Sequence, residues 1–487
     1  MKKILLSLIL SLSISFSFAS TIVKGGIYAN ATWTKANSPY IIMDSVVVFP
    51  GVVLTIQPGV TVEFANNQNL EIRQAQLIAN GTATDSITFT SNSSTPTPGI
   101  YAGIFLNGGS TNSQFRYCNF MYSKNGVRNL ATGYGFMIKN CKIFYNVNGI
   151  YGGGLGNNSV LDSCILEYNT DIATGDFDTI KNCTISKNST GVEDGFTIIN
   201  SVLDSNSQLA IYENTGNILN CRIMYNAMGI FSGNPLVVSN CAISHNKIGM
   251  EPSSHTIVSY CLIDSNATGI ENGPANNPSY NSFNNCQISY DSVGINDYGS
   301  NGHGSNMFNH NIVENNLFGI VLQTNVDSFY CNGFCSNTNY ALKYTSNANT
   351  NCVKHNYWCE PDSVSTEIAI YDGYDNINYG LVFFMPIDST CSPSVHAVLT
   401  SINEINNLSS VTIYPNPTTG QLFINLGTKF DGTATLTNVL GQDVYTTKIS
   451  GNGGSIQTLN VGNLTSGVYF LKLESNGQVI TKKVMKL

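Results

Sequence analysis

The chain has 487 residues, 42% hydrophobic and only 11% charged, and its 44 glycines accompany many Asn and Ser. That length exceeds one ordinary core and points to several domains or a repeat, built from turn and strand formers rather than helix formers. A formal charge of -8 with 22 basic residues leaves no electrostatic footprint for nucleic acid, whose binding rests on neutralising phosphates with Lys and Arg.

In chain order, Lys2 and Lys3 precede a short apolar run and small residues at Ser17 and Ala19, the pattern of a secretory signal peptide over residues 1–19, cut after Ala19. The run is short and Ser-rich beside the ~20 residues a membrane span needs, and no later stretch is long and apolar enough for a transmembrane segment. A soluble, exported chain is expected, in a compartment where disulfides persist. Residues 20–46 are expected to cap the open end of the body that follows over residues 47–392. "GVVLTIQPGVTVEF" (51–64) and "NLEIRQAQLIANGTATDSITFTSN" (69–92) alternate as strands punctuated by Pro-Gly and Asn-Gly turns.

From Cys118 a phrase returns every 18 to 25 residues, C-x-[apolar]-x-x-N-x-x-G-[apolar], with anchors at Cys118, Cys141, Cys164, Cys183, Ser201, Cys221, Cys241, Cys261, Cys286 and Asn311. Two residues after each anchor stands an apolar side chain. Five after it stand Asn146, Asn169, Asn188, Asn206, Asn226, Asn246 and Asn266 in consecutive copies, and eight after it a Gly, absent only from the third and fifth copies. A short strand and a tight turn repeated at this period describe one coil of a parallel β-solenoid, in which equivalent residues stack ~4.8 Å apart. Cys and Ile/Leu columns then fill a dry interior. The Asn column forms an amide ladder, and the Gly column is expected to supply positive φ at a bend. Eight thiols in single file on separate rungs suit packing better than a metal centre, and their parallel side chains disfavour bridging.

The stretches Leu54–Val60 (L-x-I-x-P-G-V) and Ile87–Ser91 (I-x-F-T-S), with the ten copies, resemble right-handed parallel β-helix proteins of the pectate-lyase-like superfamily. The resemblance implies an all-β chain whose right-handed parallel β-helix has about fourteen coils and is on the order of 65 Å long. It is specific for fold and nearly silent on activity. Many members bind acidic glycans along one face, so two functions stand: a non-catalytic glycan-binding, adhesin-like or structural rod, and, alternatively, a polysaccharide lyase or glycoside hydrolase.

For catalysis, Glu167 and Asp204 lie two rungs apart in an outward column, ~9.6 Å by rung spacing, as do Asp264 and Glu314. That is near the upper limit for an inverting carboxylate pair, although scattered acids on a solvated face explain them too. Asn169-Thr170-Asp171 and Gly302-His303-Gly304 echo polygalacturonase motifs, but "DD" is absent and Arg222-Ile223 lacks its Lys. A lyase needs a base and a neutralising cation near the uronate; basic residues are sparse and no acidic cluster has calcium-binding density. For binding, Tyr122, Tyr145, Tyr168 and Tyr225 stand four residues after their anchors. Outward, they make a platform for sugar rings; inward, they are core. No cofactor and no metal is expected.

Cys331, Cys335, Cys352, Cys359 and Cys391 leave the repeat register. Export favours disulfides over a zinc site from the first four, with the pairing open and one thiol left over. "YDNINYGLVFFMPI" (374–387) reads as a closing strand and 393–410 as a polar linker. Over 411–487, about seven alternating strands with turns at Thr-Gly, Leu-Gly-Gln and Asn-Gly fit a small antiparallel β-sandwich. Tyr414-Pro415-Asn416-Pro417, Gly420, Leu440-Gly441-Gln442, Leu464, Ser466-Gly467-Val468-Tyr469, Lys482-Lys483 and Leu487 closely resemble the type A C-terminal sorting domain of the type IX secretion system in Bacteroidota. The resemblance implies Sec export, then outer-membrane passage by the type IX machinery, with removal of the domain and release or attachment to surface lipopolysaccharide. Partners are then that machinery and a polysaccharide, and the location is extracellular or the cell surface.

Overall fold

A computed structural model describes residues 20–109, 112–130, 135–154, 158–232, 235–273, 280–298, 306–323, 327–347, 350–391, 412–426, 430–438, 442–452, 455–475 and 478–487. The signal-peptide and linker readings, Gly441 and the Gly302-His303-Gly304 motif lie outside the described residues. Two compact units divide near Leu399. The first is a parallel β-solenoid whose coils each run through three short strands. One face is a 14-stranded sheet; the other two are joined in a 29-stranded sheet, because the long strand Tyr40–Val48 pairs with both Thr61–Phe64 and Asn69–Arg73. Residues read as a cap already follow the coil: Thr21–Ile27 pairs in parallel with Tyr40–Val48, and Ala31–Trp33 with Val53–Ile56. Trp33 and Tyr40, rings stacked at 4.8 Å, close this first turn over the core.

A typical coil shows how sequence makes the shape. Met137–Lys139 runs along the first face, Lys142–Phe144 along the second and Asn148–Tyr151 along the third. Each bend uses one residue in the left-handed region: Asn140 at φ 54° and Tyr145 at φ 57°. Asn recurs at the first bend (182, 200, 220, 240, 285) because its short amide tolerates that conformation. Inward residues stack coil on coil, as with Ile143, Leu166, Ile185 and Leu203, all fully buried. Burial of each such side chain contributes about 1.5–3 kcal/mol.

The interior polar columns are hydrogen-bonded along the axis. Asn226 Oδ1 accepts from the N–H and Nδ2 of Asn206 at 2.9 and 3.0 Å, while its own Nδ2 donates to Asn246 Oδ1 at 3.0 Å and to the Leu203 and Met224 carbonyls at 3.2 and 2.8 Å. The chain of amides runs from Asn146 through Asn169, Asn188, Asn206, Asn226 and Asn246 to Asn266. Thiols work similarly. Cys118 N–H donates to Cys141 Sγ at 3.3 Å, and each thiol of the column donates to the carbonyl two residues back at 3.2–3.4 Å. Ser201 Oγ and Asn311 Oδ1 accept the same bond, from the N–H groups of Cys183 and Cys286, which explains why they can replace Cys as anchors. Burial pushes the pKa of Cys141, Cys164, Cys183, Cys241, Cys261 and Cys286 well up, away from reactive thiolate.

The glycine column has a different cause from the one expected. None of its members has positive φ; each lies in a third-face strand where a Cβ would strike the carbonyl of the next coil, as at Gly126 and Gly294, with 2.7 and 2.6 Å to the Gly149 and Gly319 oxygens. Close backbone approach, not bending, requires Gly here. The two copies without Gly carry Ala173 and Ala210 at the equivalent place, one residue later in the chain.

Asp291 continues the Asn ladder as an acid, accepting from Asn266 N–H and Nδ2 through Oδ1 while Oδ2 is buried without a partner. Burial raises its pKa to about 8. The folded chain thus holds this proton more tightly than the unfolded chain, whose value is 3.8. The stabilisation it gives is complete below that lower value and is lost as pH rises through about 8. Asp291→Asn should remove this loss, stabilising the chain at pH 9 by roughly 2–5 kcal/mol and by far less at pH 4. Denaturant unfolding of both chains at the two pH values checks it; a pH-independent difference contradicts it.

At the far end, Cys331 bonds Cys391 and Cys335 bonds Cys359, leaving Cys352 as an exposed thiol. The bridges span 60 and 24 residues, which in the chain-entropy account contributes about 3–4 kcal/mol each. Of residues 374–387 only Leu381–Phe383 is strand, paired with Thr350–Cys352. The Asp372 carboxylate gathers the N–H groups of Tyr374 and Val382 and turns the preceding segment.

The second unit has a three-stranded antiparallel sheet (Thr412–Tyr414, Gln421–Leu426, Ser455–Asn460) and a four-stranded one (Asp443–Gly451, Phe430–Asn438, Gly467–Ser475, Gln478–Lys486). Its own core holds Leu422, Ile424, Leu436, Leu459, Leu471 and Val484. Between Tyr414-Pro415 and Pro417, Asn416 Oδ1 accepts from the Met485 N–H at 2.8 Å, so the start of the unit is tied to its last strand. Gly467 opens a strand that contains Tyr469, whose hydroxyl donates to the Thr465 carbonyl at 2.8 Å; Lys482 and Lys483 lie on the strand beside it.

Candidate functional site

Tyr122, Tyr145, Tyr168 and Tyr225 occupy the left-handed corner between the second and third faces, at φ 57–68°. That corner turns them outward. Tyr145, Tyr168 and Tyr225 are 40%, 41% and 56% exposed, whereas Tyr122 is partly buried against the core. The rings do not form an open platform. Tyr145 is sandwiched between Tyr122 and Tyr168 at 6.0 and 5.3 Å, and Lys187 covers Tyr168 with its ammonium 5.1 Å from the ring and 3.1 Å from the hydroxyl. Tyr225 packs against the tilted His245 ring, centroids 4.8 Å apart. The result is a ridge of ring edges and hydroxyls. Beside it runs a shallow trough of about 560 Å³, lined by Tyr145, Tyr168, Thr170, Lys187, Ser189 and Ser205 among others. The hydrogen bond from Lys187 to Tyr168 raises the lysine pKa, which keeps it cationic.

The four acids project from second-face strands. Register places Ser186 between Glu167 and Asp204, and Ser289 between Asp264 and Glu314. Each pair is thus brought to one column with a hydroxyl rung between its members. The two pairs are themselves separated by Met224 and Ser244. Ser186 donates to Glu167 at 3.0 Å, Ser205 to Asp204 at 2.9 Å, Ser265 to Asp264 at 3.2 Å and Gln287 Nε2 to Glu314 at 3.0 Å. Burial raises the pKa of Asp264.

A second surface was not anticipated from sequence. On the outward side of the third face, Arg128, Tyr151, Gly175, Glu193, Tyr212, Phe231 and Glu251 share one register column. Gly175 is small enough for Tyr151 to reach across it, so that the Tyr151 hydroxyl donates to Glu193 at 3.3 Å, while Arg128 lies 5.3 Å from the Tyr151 ring. Tyr212 and Phe231 stack at 5.6 Å. Asp176 and Asp194 stand at the adjoining bend. Burial raises the pKa of Glu193 against the Tyr151 hydrogen bond, burial and then the neighbouring acids raise Asp194, and burial raises Asp176 against the pull of Arg128. The signal was available ten residues after most anchors, one place beyond the stretch of the repeat that carries the Gly and its apolar neighbour. Among the described residues, no group of three or more His, Cys, Asp or Glu comes together to hold a metal, and no helix is long and apolar enough to cross a membrane.

Residues 25–136 match the family described as pectate-lyase like beta helix domain, and residues 412–487 the secretion system C-terminal sorting domain. The chain carries a pectate-lyase-like β-helix domain and ends in a secretion-system sorting domain. Solved structures similar to it include pectate lyase Pel9A, at 10% identity and TM-score 0.33 over 64% of this chain and 80% of that one. The mannuronan C-5 epimerase AlgE6 A-module of Azotobacter vinelandii has 12% identity and TM-score 0.28 over 70% of this chain and 92% of the module. Protein bark beetle of Drosophila melanogaster is 39% identical over 84 residues, 17% of this chain and 3% of that protein's length. The sorting domain indicates export to the cell surface or the extracellular space through its secretion machinery.

Proposed function

We propose that the β-helix domain is a non-catalytic, polysaccharide-binding rod, adhesin-like in use, exported by the Sec pathway and then the type IX system and either released or attached to surface lipopolysaccharide. The observation that carries this reading is the outward tyrosine ridge beside a trough rich in hydroxyls. Sugar hydroxyls can exchange hydrogen bonds there with Thr170, Ser189, Ser205 and the Tyr168 hydroxyl, and Lys187 favours an acidic sugar. Because ring faces are occupied by other rings, specificity comes from edges and hydroxyls rather than from stacking. A protonated Lys187 is in the wrong state to abstract a proton, which weighs against a lyase at this place.

The enzymatic alternative, a lyase or glycoside hydrolase, is favoured by one feature, the raised carboxyls of Asp176, Glu193 and Asp194 on the third face. One screen separates the two. Full-length chain is incubated with acidic and neutral polysaccharides, and retention is scored together with reducing-end and unsaturated products. Retention without product is expected, and Tyr145→Ala with Tyr168→Ala should weaken it about tenfold or more while the unfolding midpoint stays within the range of a surface change. Product release transfers the role to the acids; unchanged retention in the double variant removes the ridge from the site.

A further inference from the structure

Inside the bend from the third face back to the first, two carboxylates are buried against each other. Asp297 ends the strand Val293–Asp297 and is 1% exposed; Asp327 precedes the strand Ser328–Tyr330 and is 6% exposed. Their side chains lie within hydrogen-bonding reach. Asn306 N–H donates to Asp327 Oδ1 at 2.8 Å, and Asn272 Nδ2 to Asp297 Oδ2 at 3.1 Å. Asn272 is the register neighbour of Asp297, fully buried, and its Oδ1 has no donor; nor does Asp327 Oδ2. One unpartnered donor, Asn281 Nδ2, belongs to the same Asn281–Asn306–Asp327 column, two rungs or ~9.6 Å from Asp327.

Facing carboxylates in a dry interior are costly, and a proton or a cation relieves them. A shared proton would join one oxygen of each acid and leave the Asn272 oxygen unsatisfied. A hard cation takes oxygen donors alone, and the acids supply them together with the acceptor-only oxygen of Asn272, whose amide nitrogen already bonds Asp297. We propose that Asp297, Asp327 and Asn272 Oδ1 bind a hard divalent cation of calcium type within the solenoid. The site joins coils with the long, 25-residue spacing, where the connection from third face to first is longest and a tie between the two columns has most to hold. Its role is structural, apart from the outer surfaces proposed for glycan.

The test uses full-length chain purified without chelator. Metal analysis should find about one equivalent of calcium. After chelation, calcium chloride alone should restore it with a one-site isotherm and raise the unfolding midpoint by about 3 °C or more. Asp327→Asn and Asn272→Ala should each weaken calcium binding tenfold or more, while Glu314→Gln, outside the bend, should not change it. No bound metal in the native chain together with no calcium-dependent midpoint overturns the proposal in favour of a shared proton, and does so even if neither variant folds. Calcium binding that survives both variants overturns the assignment to these residues.

Discussion

A chain that ends at Cys391 should stay inside the cell envelope. The residues it lacks, 412–487, match the secretion-system sorting domain and form a unit with their own core of Leu422, Ile424, Leu436, Leu471 and Val484. The solenoid core, from Trp33 to Phe384, contains none of those side chains, so truncation removes the address and leaves every side chain of the cargo's core in the chain. The expected result is essentially complete loss of the chain from the cell surface and medium of a host that has the secretion system, with accumulation of folded solenoid in the periplasm. Fractionation and immunoblotting against full-length chain measure it. A point variant refines the result: Tyr469→Phe deletes the hydroxyl that donates to the Thr465 carbonyl, costs about 1 kcal/mol, and should reduce export only in proportion to unfolding of the unit. Continued surface delivery of the truncated chain would show that the tail is not what the machinery reads.

Asn226→Ala should be among the most damaging single changes in the solenoid, at about 3–5 kcal/mol. The side chain is 3% exposed and takes part in five hydrogen bonds to Asn206, Leu203, Met224 and Asn246. Alanine leaves the Asn206 N–H buried without an acceptor, its Nδ2 with the Ile185 carbonyl alone, and Asn246 Oδ1 without its side-chain donor, and each orphaned group costs about 1–3 kcal/mol. In a solenoid each coil is stabilised by its neighbours, so a break at the middle of the ladder lowers the cooperativity between the two halves as well as total stability. Denaturant unfolding should show a lower midpoint and a shallower transition. Lys187→Ala, exposed on the same corner, serves as the reference and should stay within about 0.5 kcal/mol. A loss under 1 kcal/mol in Asn226→Ala would mean that the ladder is decoration on a core held by Ile and Leu alone.

The candidate site was only partly legible. The tyrosine column could be found by counting from the anchors, but a count cannot tell a platform from a ridge: the ring planes follow from the left-handed corner, which stacks each Tyr on the one a coil away. The third-face column was missed because a one-residue insertion moves Gly175 and Tyr212 out of simple phase, whereas strand pairing restores them to line. Likewise the register position of the absent glycines is held in two copies by Ala173 and Ala210, the smallest side chains after Gly.

By itself, the sequence determined what local chemistry can dictate: alternation of apolar residues for strands, a small polar side chain or thiol at each buried turn, and a tail whose motif spans residues 412–487. Those features repeat because each coil faces the same physical demand as the one before. Tertiary structure alone decided the rest, namely the pairing of Cys331 with Cys391 and of Cys335 with Cys359, the reason for the glycine column and the burial of Asp291, Asp297 and Asp327. Each depends on which atoms meet across coils of unequal length, and spacing along the chain does not carry that distance.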